Sequence, residues 1–456
     1  MTKPLKLIRT RPPILLAIVV PLLGAGLFAQ NRVPNPLLTL DASGVLGTYS
    51  ASGRIDVNNA FFQNLGTNGR TCNSCHVSSQ AWSVTPLGIK ERFAMTRGTD
   101  PIFRPVDGAN CPSADVSTVW DRARAYSLLL KKGLIRISLA VPATADFHIT
   151  GVEDPYHCPQ TTEAQPAMYR RPLPATNLPF LTTVMWDGRE SPKGQSLTAD
   201  LTQQGIDATT GHAQGTIPTP KQLREIVAFE TALYTAQAYD FSAGKLTAKG
   251  TKGGPVNLSA QPFFVGINDA LTPGFDSSAF TIYKPWESLT GAGARARASV
   301  ARGEALFNTL PIMITGVAGL NDLPGLSVVN GTCTTCHDTP NVGNHSVALA
   351  INIGVTDYPA RGGLDISGLP VYTIKCNSTG STVQTTDPGR AMVTGKCADV
   401  GKTKGPVLRA LAARAPYFHN GSAATLMDAV EFYDQRFNLN MTPQQKSDLV
   451  AFLQTL

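Results

Sequence analysis

Residues 71–79 read TCNSCHVSS and residues 332–340 read TCTTCHDTP. Each holds Cys-x-x-Cys-His, at Cys72/Cys75/His76 and again at Cys333/Cys336/His337. Two thiols two residues apart match the two vinyl groups of one haem, and the histidine that follows falls under the iron as its proximal ligand. Two other chemistries use paired cysteines. A zinc half-site would need a second Cys or His pair at compatible spacing, and the chain has no other C-x-x-C. A thioredoxin-like redox pair does not demand a trailing histidine twice. The duplication therefore predicts two covalently attached c-type haems.

The other cysteines sort into pairs. Cys111 and Cys158 each precede a proline, and Cys376 and Cys397 bracket a Ser/Thr/Gly-rich stretch. Pairs outside metal or haem motifs become disulfides in an oxidising compartment, so sequence proximity predicts 111–158 and 376–397. The N-terminus points to such a compartment. MTKPLKLIRTR (1–11) carries Lys3, Lys6, Arg9 and Arg11 without an acid, and ILLAIVVPLLGAGLFA (14–29) is apolar, contains Pro21 and ends on small residues. This is the pattern of a secretory signal peptide over 1–29, cleaved after Ala29. It is short for a membrane span. The body is expected in the periplasm.

Of the 39 Lys+Arg, four lie in that leader, leaving 35 against 32 Asp+Glu. A body near +3 without a basic stripe excludes a nucleic-acid binder. Gly (41) and Pro (33) are abundant, which predicts short helices joined by long loops.

The duplication extends beyond the pentapeptides. PKQLREIVAFETAL (220–233) matches PQQKSDLVAFLQTL (443–456), both with apolar residues at helical spacing. VMWDGRE (184–190) parallels PYFHNGS (416–422). NNAFFQNLGTNGRTC precedes the first haem motif and ASVARGEALFNT the second. The expected fold is mostly α: two tandem cytochrome c-like haem domains with long loops, each running helix, haem motif, closing helix. The first would occupy 30–290, with an insertion near 77–165, and the second 291–456. The boundary lies in the Gly/Pro/Ser-rich stretch near 245–290.

WDGR in the first unit and APYFHNGSAATLMDAVEFYD in the second, with INIGVTD (351–357) and DPGRAMVTG (387–395), resemble the bacterial dihaem cytochrome c peroxidase family, which includes the MauG-type enzymes. The likeness covers roughly 165–240 and 295–456 plus the first haem motif; 77–165 has no counterpart in the family pattern. The resemblance implies that one haem meets hydrogen peroxide while the other passes electrons, and that Trp186 of WDGR relays between them. It further implies an oxygen or sulfur ligand on the second iron. Tyr433 holds that position here, with Met427 and Met441 as nearby rivals.

Two departures from the family matter. The Glu expected beyond WDGR is missing from TADLTQQGIDATTGHAQG (198–215), which offers Gln203, Gln204, Asp207 and His212. His212 can replace it as acid/base, because imidazole takes a proton from one peroxide oxygen and delivers it to the other. It can equally ligate the first iron, or stand in a surface loop. His148 and His157 in the insertion are further candidate ligands, whereas His345 is expected to be structural. The Asn that helps hold the family's inter-haem calcium corresponds to Arg171, which puts calcium in doubt. The function expected is a periplasmic peroxide-activating dihaem oxidoreductase, fed by a small redox protein such as a cytochrome c or cupredoxin; a homodimer stays open. The alternatives are a dihaem electron carrier and a dihaem oxygenase acting on an organic substrate.

Overall fold

The computed structural model describes residues 33–456 apart from positions 292 and 324; the signal peptide predicted over 1–29 lies outside the described residues. Among the described residues no helix is long and apolar enough to cross a membrane.

Helix and strand account for 31% and 16% of the chain, so the expectation of a mostly α fold is met only in part. The strands arise where β-branched and aromatic residues gather. Gly44–Ser50 pairs antiparallel with Leu233–Asp240, flanked by Leu37–Leu40 and Gly244–Lys245 in a four-stranded sheet. Thr48 and Thr235 face one another across that sheet and share a buried hydroxyl hydrogen bond of 3.0 Å. Such non-local pairing leaves no helical period in the sequence and is invisible to one.

The stretch read as an insertion is woven into the rest. Its strand Ile135–Ser138 pairs with Ala167–Arg170, and its strand Phe147–Glu153 pairs with Val371–Cys376 from far along the chain. Both expected disulfides, Cys111–Cys158 and Cys376–Cys397, are present. Cys72, Cys75, Cys333 and Cys336 are free.

The matched sequences take matched local structures. Helices Pro220–Ala232 and Pro443–Gln454 each open with a Thr N-cap, a proline in the first turn and a capping box closed by Gln222 or Gln445. Cys72–Ser74 and Cys333–Thr335 are single 3₁₀ turns, each with its own capping box. In MWDG (185–188) and FHNG (418–421) the chain turns alike: Met185 and Phe418 take φ of 67° and 64°, and Gly188 and Gly421 take 74° and 64°. Only the entry segments differ. ASVARGEALFNT lies in the helix Ala294–Thr309, but NNAFF forms no more than the 3₁₀ turn Ala60–Phe62. Asn59 and Asn64 explain this, since their side chains accept from the backbone N–H groups of Phe61 and Gly66 and set turns in place of a helix.

Candidate functional site

Each pentapeptide opens onto a deep cavity. The first is lined by Cys72, Cys75, His76 and His212, the second by Cys333, Cys336, His337 and Tyr433. Trp186, Arg171, Pro172, Pro174 and Lys404 line both, forming a shared wall.

The 3₁₀ turn at each motif places two thiols and an imidazole together. Behind each imidazole stands a backbone carbonyl: His76 Nδ1 lies 3.0 Å from Trp82 O and His337 Nδ1 lies 2.7 Å from Gly343 O. A carbonyl only accepts, so each Nδ1 carries the proton and each Nε2 keeps its lone pair, the state a metal-ligating histidine needs. Burial holds both imidazoles neutral, well below their usual range. An aromatic pair backs each of them. Phe61 and Phe307 lie 6.2 and 5.8 Å from the imidazoles of His76 and His337. Phe229 and Phe452, from the matched closing helices, lie 5.0 and 5.6 Å from those phenylalanines.

The thiols are equally telling. Burial pushes Cys333 and Cys336 up to about 12, and Cys72 and Cys75 upward as well. Such thiols are poor thiolates, which disfavours redox exchange. Among the described residues no three or more His, Cys, Asp or Glu side chains converge as a metal cage. Polar atoms beside the second cavity also lack partners: both ring nitrogens of His345 and Nε of Arg414. An apolar space with a paired thiol mouth, a presented Nε2 and orphaned donors at its rim fits a haem. His345, expected to be structural, thus belongs to the rim of the second cavity.

The candidates for the distal side separate. Tyr433 comes from the helix Leu426–Phe437, stacks on Phe437 and lines the second cavity; burial pushes its phenol upward. Met441 lines that cavity too, whereas Met427 lines neither. His148 and His157 are exposed and lie at neither cavity, so the insertion supplies no histidine to either site. His148 instead meets Asn377 at 2.8 Å. Gln203 and Asp207 bond to each other on the surface, leaving Gln204 and His212 at the first cavity.

His212 closes a π-helical turn, Ala208–His212, that widens the end of the helix Leu197–Asp207. Its Nδ1 bonds to Asp107 Oδ2, and the other oxygen of that buried carboxylate pairs with Arg70 at 2.6 Å. Burial alone would raise Asp107, but His212 and Arg70 override it and hold the carboxylate ionised. Asp107 belongs to the stretch read as an insertion, and nothing in its sequence ties it to a residue 105 positions away. Glu230 was likewise missed. It lies on the closing helix, lines the first cavity, and burial pushes its carboxyl up to about 8.

Trp186 sits on the shared wall. Its Nε1–H donates to Arg171 O at 2.8 Å, and its ring lies 5.9 Å from that of His419.

No family model matches the chain. Among curated proteins it is 28% identical over 210 residues to cytochrome-c peroxidase IdrP1 of Denitromonas iodatirespirans, covering 42% of this chain and 46% of that one. It is 32% identical over 143 residues to cytochrome c551 peroxidase of Nitrosomonas europaea, covering 30% and 34%. These matches span between a third and a half of the relatives' length. Among solved structures, a MauG-like protein associated with microbial copper homeostasis aligns over 95% of both chains, with 15% identity and a TM-score of 0.37. By sequence, over the matched stretches, the chain is a relative of the bacterial cytochrome c peroxidases.

Proposed function

We propose that this chain is an exported dihaem c-type oxidoreductase, built as two tandem haem units, that reduces hydrogen peroxide at the first haem with electrons passed from the second. One observation carries the proposal: two cavities share Trp186, but the first is lined by His212, hydrogen-bonded through Nδ1 to Asp107, and the second by Tyr433. Two identical electron-carrying sites would not need that inequality.

Cys72 and Cys75 would hold one haem and Cys333 and Cys336 the other, with His76 and His337 beneath the irons. When bound, the groups would supply one-electron redox chemistry and an iron able to take an oxygen ligand. The residues supply the rest. Peroxide reduction consumes two electrons and two protons and releases two waters. Nε2 of His212 takes the proton from one peroxide oxygen and returns it to the other as the O–O bond breaks. Asp107 keeps the tautomer that leaves Nε2 free. Trp186, an indole between the cavities, relays electrons. A small redox protein, such as a cytochrome c or cupredoxin, supplies them; the name of the Nitrosomonas relative indicates a cytochrome partner for that protein. The test is a haem-stained denaturing gel, an intact mass and a resting spectrum of the secreted protein. Two haems per chain, at least one of them high-spin, is the expected result; one haem, or zinc, refutes the proposal.

A carrier without catalysis remains the second reading, because the Asp107–His212 pair also suits a ligating imidazole. In it both irons are six-coordinate and the spectrum is low-spin throughout.

Tyr433 is assigned to the second iron. An anionic oxygen ligand favours Fe(III), so Tyr433→Phe is expected to change that haem's spectrum and raise its midpoint potential. An unchanged spectrum would transfer the role to Met441.

A further inference from the structure

Arg171 and Lys404 are each only 6% exposed, and both belong to the wall shared by the two cavities. Among the described residues neither has a carboxylate within 4.0 Å, the reach of every ion pair the chain makes. Arg171 donates only to carbonyls, those of Lys132 at 2.9 Å, Val84 at 2.8 Å and Arg414 at 2.9 Å. These engage three of its five N–H groups and leave its charge unneutralised. Lys404 is held by its backbone, which donates to Trp186 O at 2.9 Å. Arg414, on the second cavity, adds a third cation whose side chain meets only Val407 O, at 2.6 Å. Burial, with the mutual repulsion of Arg414, pushes Arg171 down to about 9 and Lys404 to about 8.

Buried cations are retained where something anionic meets them. Here it does not come from the chain's own carboxylates. The space these cations border is the one that fits a haem, and each haem carries two propionates. We propose that Arg171 and Lys404 form a cationic seam that binds propionates of both haems and takes the place of any divalent cation between them. This rests on the dihaem proposal above. The three cations repel a metal ion, and no carboxylate stands beside them to offset that repulsion. The substitution of Arg171 for the family's calcium-holding Asn is then a replacement of one cation by another.

The test uses the mature haem protein and Lys404→Gln. Removing Lys404 strands no hydrogen-bond partner, so the variant is expected to fold and to keep two haems. A cation beside a propionate disfavours Fe(III), so its loss should lower both midpoint potentials. The expected size is about tenfold in each Fe(III)/Fe(II) equilibrium constant, ~59 mV for a one-electron couple. Lys404→Arg should keep both potentials at the wild-type values. Elemental analysis of the wild type should find no stoichiometric calcium, and a chelator should leave spectra and potentials unchanged. Unmoved potentials in a Lys404→Gln protein carrying two haems would overturn the seam, as would one tightly bound calcium per chain. Fewer than two haems in the wild type would overturn the dihaem proposal first, and the seam with it.

Discussion

His212→Ala is expected to slow the reaction with hydrogen peroxide by about 10²–10⁴-fold, the contribution of a positioned proton-transfer group, while leaving the resting spectrum nearly intact. Asp107 accepts from Nδ1 of His212 and leaves Nε2 to act. Asp107→Asn should therefore act in the same direction but by less, about 10–100-fold, the usual cost of losing the partner that orients a functional histidine. The His212 side chain is 39% exposed, so protons exchange with solvent while the carboxylate behind it stays buried. Were His212 an iron ligand, the sign would reverse: the wild type would be low-spin and slow with peroxide, and His212→Ala would be high-spin and faster. One stopped-flow comparison with resting spectra separates the two. Unchanged rate and spectrum would remove His212 from both roles, and Glu230 and Gln204, which line the same cavity, would be tested next.

What could be read beforehand follows from which interactions are local. Cys72, Cys75 and His76 are adjacent in the chain, so their chemistry is written in their spacing, and the same holds for the second motif. The closing helices were legible because apolar residues recur at helical spacing in both, and in the fold TPKQ and TPQQ each satisfy their own backbone within four residues. His212 was legible as a candidate because its position follows WDGR closely. Asp107 was not, because its partner is brought to it by tertiary folding and a lone aspartate carries no pattern. Lys404 was hidden for a related reason, and Arg171 stood out only as the counterpart of the calcium-holding Asn: the significance of both is the absence of a nearby carboxylate, which only three-dimensional packing reveals. The entry segment of the first unit was expected to be a helix by analogy with the second, but Asn59 and Asn64 offered the backbone tighter local bonds. The stretch 77–165 looked foreign because resemblance measures similarity and not contact. It contributes Asp107, and its strand Phe147–Glu153 pairs with Val371–Cys376.

The largest stability effect is expected at Arg170, beside the seam. Its guanidinium reaches Asp187 of WDGR at 2.5 Å and both oxygens of Asp387 of DPGR at 2.7 and 2.8 Å, tying the two motifs together in a site almost closed to water. Burial alone would raise both carboxyls, but Arg170 overrides it and holds them well below the usual carboxylate range. Carboxyls with depressed folded-state pKa contribute stability that is present above their unfolded value and lost as pH falls through the folded one. In Arg170→Met the sign inverts. Asp187 keeps Arg189 at 3.1 Å, whereas Asp387 keeps the N–H of Gly389 at 2.7 Å and His419 at 3.5 Å but no guanidinium, so Asp387 becomes a buried charge without its main partner, whose pKa rises above its unfolded value. The variant should lose about 3–5 kcal/mol at pH 7 and recover part of it as pH falls toward 5, where Asp387 protonates. Adding Asp387→Asn should restore part of the loss at pH 7 and remove the inverted pH dependence. Urea midpoints at the two pH values for the wild type, the single and the double variant supply the comparison. A loss under about 1 kcal/mol, or a pH profile parallel to that of the wild type, would mean that the ion triad does not hold WDGR and DPGR together. Trp186 and Arg171, each one residue from a member of that triad, would then owe their place on the shared wall to packing alone.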